Sequence, residues 1–195
     1  LYTHTLFQFD GRLVQAIGPA LEMGRSFVQR DFQRDFTTLF LLWKGIGRFV
    51  SDRPRYRLLF GPVSISAEYT PASRNTLVEA LSADDYRSPL APLVQPRRPV
   101  ATRTAGGATA CSTDDTDRLV RNLEPDGQGM PVLLRQYLRL NARVLGFSID
   151  PDFGGVVDAL IVVDLARVDL PILQRYMGRE AAGVFLQHHA ACRAR

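Results

Sequence analysis

Glu22 and Arg25 are the two side chains best placed for chemistry. A carboxylate can hold or deprotonate an amine, and a guanidinium can orient that carboxylate or grip a second one through its planar fork. The pair lies in residues 20–28, where Leu21, Met23 and Phe27 mostly alternate with polar positions, as on a strand. Side chains three apart on a regular strand point to opposite faces, but a bulge at Gly24 would bring both to one side. Spacing alone favours the plainer alternative, a structural ion pair with neighbouring strands.

Residues 29–35 lead from this strand to the start of a helix. The turn Gln33, Arg34, Asp35 and Phe36 therefore sits where backbone amides at a helix N-terminus can hold a phosphate. The stretch has no glycine, which makes a close wrap around a pyrophosphate harder. The sequence has no GxSxG elbow, no P-loop and no HExxH pair. His4 stands alone, and the adjacent His188 and His189 would point about 100° apart on a helix, so no metal site is expected. Cys111 and Cys192 are isolated, which argues against a disulfide framework and for a reducing cytoplasm.

The elements that must position these groups follow from periodicity. Residues 1–9 read as a strand. Residues 36–50 read as a helix with Phe36, Leu39, Phe40, Trp43 and Val50 on one face and Leu41, Leu42, Ile46 and Phe49 widening it, so burial on most sides is expected. A strand from Arg57 to Ser66 contains Gly61 and Pro62, which suggest a bulge or bend. A helix opens at Pro71 and runs to about Tyr86, and a short acidic helix spans about Thr113 to Leu123. Another helix runs from Pro131 to about Arg143. Residues 146–149 and 159–163 then form a β-hairpin, followed by a helix from Pro171 to about His189 broken at Gly178. Residues 87–112, rich in Pro, Arg, Ala, Thr and Gly, read as a long excursion within one domain.

At 195 residues the chain can enclose one sizeable core, and 46% hydrophobic with 23% charged residues places it in the globular class. It opens at Leu1 directly in an apparent strand, so a portion of a longer protein is expected. Lys44 is the one lysine among 24 basic residues. The net charge of +4 is unevenly spread, with Arg87, Arg97, Arg98 and Arg103 clustered without an acid. Such a stretch suits an acidic carrier protein, anionic lipid or nucleic acid, or is a solvated loop. The longest apolar run, Leu39 to Trp43, is far short of the roughly 20 residues that span a bilayer, so membrane contact would be peripheral.

Residues 21–28 resemble the Glu-Leu-Gly-Arg-Ser-Cys-Val type of segment found in bacterial ornithine-lipid N-acyltransferases. Residues 42–46, 56–66, 150–154 and 160–165 resemble, in the same order, the haemolysin-labelled branch of that group. These enzymes belong to the GNAT superfamily and are related to acyl-homoserine lactone synthases, which carry a similar Glu-x-x-Arg strand. The resemblance implies an α/β GNAT-like domain, a mixed sheet flanked by helices, with the first part of the fold lying upstream of Leu1.

It also implies transfer of a 3-hydroxyacyl chain to an amine such as ornithine or glycine in membrane aminolipid synthesis. The donor would be an acyl-phosphopantetheine thioester on acyl carrier protein or coenzyme A, with no tightly bound cofactor and no metal. Glu22 and Arg25 would be catalytic, and Gln33, Arg34, Asp35 and Phe36 would hold the donor's phosphate. The GNAT phosphate-loop pattern, Gln/Arg-x-x-Gly-x-Gly/Ala, is reduced here to residues 33–36, which fits a carrier-protein donor better than coenzyme A. The expected partners are acyl carrier protein and the amine, at a cytoplasmic site that can touch the inner membrane, without nucleic acid. The alternative is a non-catalytic domain that docks protein or anionic lipid through its Arg-rich segment.

Overall fold

The computed structural model describes residues 1–24, 29–32, 36–101 and 112–193. It is a mixed α/β structure with two sheets flanked by helices. The first elements are α1 (Thr3–Leu6), β1 (Phe7–Phe9), α2 (Gly11–Ile17), β2 (Ala20–Glu22), α3 (Phe36–Asp52) and β3 (Leu58–Ile65). They are followed by α4 (Pro71–Leu81), β4 (Val94–Pro96), α5 (Thr113–Leu123) and α6 (Val132–Arg139). The chain ends with β5 (Arg143–Asp150), β6 (Val156–Asp164), α7 (Leu170–Met177) and α8 (Arg179–Arg193).

The main sheet has the order β2-β3-β6-β5, with β2 parallel to β3 and the other pairs antiparallel. β6 is buried along its length except at Asp164, as an apolar strand covered on both faces should be. On one face, Leu59, Val63, Ala159 and Ile161 join Trp43, Leu77, Leu134, Leu173 and Phe185 in the larger core. On the other, Phe60, Leu160 and Val162 pack with Leu6, Phe7, Leu13 and Val94 in a smaller one. Each fully buried valine, leucine, isoleucine or phenylalanine among them contributes about 1.5–3 kcal/mol by leaving water. β1 and β4 form a separate two-stranded sheet over that smaller core.

The hairpin of β5 and β6 has the expected place, closed by Gly154 and Gly155, both at φ +73°. The expected break at Gly178 is also present: φ +89° ends α7 and α8 starts at the next residue. Several expectations need correction. Residues 3–6 are a helical turn, not strand, and only Phe7–Phe9 pair. β2 stops at Glu22, so Gly24 cannot be a bulge in a paired strand. α4 ends at Leu81 and α6 at Arg139, where Leu140 closes the helix and Asn141 adopts φ +59°.

Gly61 and Pro62 make no bulge either, for β3 pairs with β6 without a register shift from Leu58 to Ile65. The irregularity is on β5, between Val144 and Gly146. A Cβ at Gly61 would lie 2.0 Å from the carbonyl oxygen of Met23, so glycine is required where the chain leaving β2 crosses β3.

α3 is buried along a single stripe through Trp43 and Val50, while Leu41, Leu42 and Phe49 are exposed. Its packing comes from the sheet, α7 and α8, which cover one side. Residues 87–101 are stitched to the sheet rather than standing off as an excursion. Ser88 N–H donates to Val144 O at 2.8 Å, Ile149 N–H to Arg98 O at 2.9 Å, and β4 pairs with β1. No helix among the described residues is long and apolar enough to cross a membrane.

Candidate functional site

Glu22 is the last residue of β2, opposite Phe60 of β3, and its side chain is half-buried. Its Oε1 accepts a hydrogen bond from the backbone N–H of Thr3 at 2.7 Å. The carboxylate thus stands at the N-terminal end of α1, where an amide with no partner inside the helical turn favours negative charge. The preceding residue, Tyr2, donates from its hydroxyl to Oδ2 of Asp150 at 2.7 Å. Two successive residues therefore tie the N-terminal turn to β2 and β5.

Among the other site residues expected from the sequence, Phe36 is the first residue of α3. Arg25, Gln33, Arg34 and Asp35 lie outside the described residues, as do Arg103 and Cys111. Arg87, Arg97 and Arg98 are exposed. Arg97 donates from Nε to His4 O at 2.8 Å, which fastens one of the three to α1. Among the described residues no group of three His, Cys, Asp or Glu could hold a metal.

A second polar group lies on the same sheet face as Glu22. Asp158 of β6 stands in register between Ser64 of β3 and Ser148 of β5 and is 1% exposed. Ser64 Oγ donates to Asp158 Oδ1 at 2.6 Å, while Oδ2 is buried without a hydrogen-bond partner. Burial pushes this carboxyl above its ordinary pKa; Ser64 opposes the shift and the Asp150 charge adds to it. A carboxyl held toward its neutral form can donate a proton. Sequence reading passed over it because one aspartate in an apolar strand carries no spacing signal.

A cleft of about 490 Å³ opens where β3 and β5 begin and β6 ends. Arg57 makes a two-pronged ion pair with Asp164, Nε to Oδ1 at 2.6 Å and Nη2 to Oδ2. Arg167 Nε approaches Asp164 Oδ2 at 3.4 Å, and Ala166 N–H donates to Oδ1 at 3.1 Å. Hydrogen bonding to Asp164 holds the Arg57 guanidinium even more firmly protonated than usual. Arg143 donates to Asn141 Oδ1 at 3.2 Å, and Arg55 and His189 also line the cleft. Arg57 and Asp164 are more than a hundred residues apart, so no local motif could reveal the pair.

Glu22 and this cleft lie on different parts of the sheet. Glu22 closes β2, whereas the cleft is bounded by Pro19 before β2 and Leu58 at the start of β3. Comparison with known proteins finds no family model, curated protein or solved structure that matches the chain.

Proposed function

We propose that the chain is a GNAT-type N-acyltransferase domain that moves a 3-hydroxyacyl chain from acyl carrier protein to an amine such as ornithine or glycine. The observation that carries this reading is the unit β2, α3, β3, with parallel strands and a carboxylate, Glu22, at the end of the first. Such a unit leaves residues that follow the strand free to meet ligands at the helix N-terminus. The resemblance of residues 21–28 to the aminolipid enzymes supplies the reaction.

In this reading the neutral amine attacks the thioester carbonyl, the N–C bond forms and the C–S bond breaks. Glu22 takes the ammonium proton, and the thiolate leaves and is protonated. Oε1 is engaged by Thr3, so Oε2 is the oxygen that meets the amine. Arg25 orients Glu22 or holds the acceptor's carboxylate, and Gln33 to Phe36 seat the phosphopantetheine phosphate. Holding amine and thioester together supplies much of the rate, since positioning alone can lower a barrier by about 7–11 kcal/mol.

The test is lipid mass spectrometry of bacteria that lack aminolipids and express a protein containing this chain. A 3-hydroxyacylated amino acid is the expected product, with purified protein forming it from 3-hydroxyacyl carrier protein in the presence of chelator. No acylated amine across a broad amine panel, or loss of product with chelator, overturns the proposal.

A further inference from the structure

The cleft at the end of the sheet gathers more positive charge than its own carboxylate neutralises. Arg55, Arg57, Arg143 and Arg167 line it, and Asp164 is the one acid lining it among the described residues. Four guanidinium charges against one carboxylate leave a surplus of three. These arginines come from separate places: the turn before β3, the first residue of β5 and the short turn after β6. The fold, not a run of sequence, brings them together. Like charges that converge in a concave site repel one another and raise the local concentration of anions.

We propose that this cleft binds a small organophosphate, a phosphate monoester carried on a compact apolar body. A phosphate monoester brings about −1.5 to −2 charge at neutral pH and three terminal oxygens, which suits several guanidinium forks at once. A carboxylate brings one charge and two oxygens, and Asp164 already supplies one. Ile17, Leu58, Leu90 and Val162 form apolar walls beside the arginines, so the cleft has a dry side for the rest of the molecule.

His189 supplies an independent observation. It lines the cleft, is 8% exposed, and its Nε2 is buried with no hydrogen-bond partner. Burial is the main influence holding its imidazole below the ordinary pKa, against the pull of the Pro54 carbonyl, so Nε2 is a bare acceptor that the P–OH of a singly protonated phosphate monoester can meet as donor. A buried polar atom without a partner is costly unless a ligand meets it. This inference stands apart from the acyl-transfer reading, because none of its residues is Glu22 or part of the turn before α3.

Calorimetry with phenyl phosphate as the probe tests it, beside inorganic phosphate and benzoate at low salt. Phenyl phosphate is expected to bind at least tenfold more tightly than either, a difference of about 1.4 kcal/mol or more. Arg55→Gln with Arg143→Gln should weaken it at least tenfold. Arg48→Gln with Arg118→Gln, which removes equal charge outside the cleft, should leave binding within about twofold. In parallel, phenyl phosphate should shift the His189 imidazole resonance, assigned by its loss in His189→Gln, and leave that of His4 in place. If the cleft double variant melts abnormally, Arg55→Gln alone, on an exposed turn, should still weaken binding. No binding at about 10 mM, equal binding of benzoate, or equal loss in both double variants overturns the proposal.

Discussion

The backbone amide of Thr3 donates to Oε1 of Glu22 at 2.7 Å, and Thr3 itself is fully buried. The carboxylate proposed to meet the amine thus also anchors the first turn of the chain. The two duties separate by substitution. Glu22→Gln keeps an oxygen that accepts from Thr3 but loses the charge. In a protein that contains this chain it is expected to lower kcat/KM by about 10²-fold or more and leave the melting temperature nearly unchanged. Glu22→Ala leaves a buried N–H without a partner and should cost about 1–3 kcal/mol as well. A Glu22→Gln protein that acylates at the wild-type rate would leave Glu22 as an anchor and nothing more.

Gly61 sits under the carbonyl of Met23, at a distance that no Cβ tolerates. Gly61→Ala must push the chain leaving β2 off the sheet, because the obstacle is backbone and not the tip of a flexible side chain. Overpacking of this kind costs about 1–3 kcal/mol or more. Chemical denaturation should show that loss, together with faster amide exchange at Met23, whose N–H donates to Phe60 O. Gly24→Ala, where the nearest neighbour is Glu22 Cγ at 4.0 Å, serves as the comparison and should change stability little.

Elements with strong local signals were legible in the sequence. Thr113–Leu123 forms the expected short helix, with Ser112 accepting from Asp115 N–H at its start. The Asp150 to Gly155 turn closes the expected hairpin because two glycines adopt left-handed φ. What failed depended on tertiary context. Residues 3–6 read as part of a strand, yet they turn helical where Glu22, far along the chain, meets the Thr3 amide. Gly61 signals a special backbone position, but only the fold shows that a neighbouring chain, not a bulge, demands it. The Arg57–Asp164 pair and the buried Asp158 carry no spacing signature at all.

Carrier docking is testable with a choice of residues that the structure refines. Arg97 holds the carbonyl of His4, so its replacement would disturb α1 as well as the surface. Arg87 and Arg98 are exposed, and Arg87→Glu with Arg98→Glu should raise the KM for acyl carrier protein at least about fivefold at low salt. The difference should vanish near 1 M salt, where the Debye length is about 3 Å. An unchanged KM at low salt would exclude a docking role for this face.

Arg57 and Asp164 are both partly buried, with side chains 28% and 19% exposed. Asp164→Asn keeps the shape but leaves Arg57 without its counter-charge and weakens the contacts with Ala166 and Arg167. Charge-assisted hydrogen bonds of this kind contribute about 1.5–3 kcal/mol, so an equilibrium loss in that range is expected on unfolding in urea. The double variant Arg57→Gln, Asp164→Asn should recover part of it, since no unpaired charge remains. If the single and double variants are equally stable, the pair is not coupled as its geometry requires.

Asp158 gives the chain a pH dependence of known sign. Burial raises its folded pKa above the unfolded value, so the folded state holds a proton that the unfolded state has released. Stability from this group is fully present below the unfolded carboxylate pKa and is lost as pH rises through the raised folded value. Asp158→Asn mimics the neutral form at every pH and still accepts from Ser64 Oγ. The variant should therefore match the wild type in strong acid and become the more stable of the two as pH climbs toward neutrality. Melting curves of both proteins across that range read the effect directly. A constant difference would mean that Asp158 titrates alike in the folded and unfolded states, and that its buried Oδ2 is met by something that keeps it ionised.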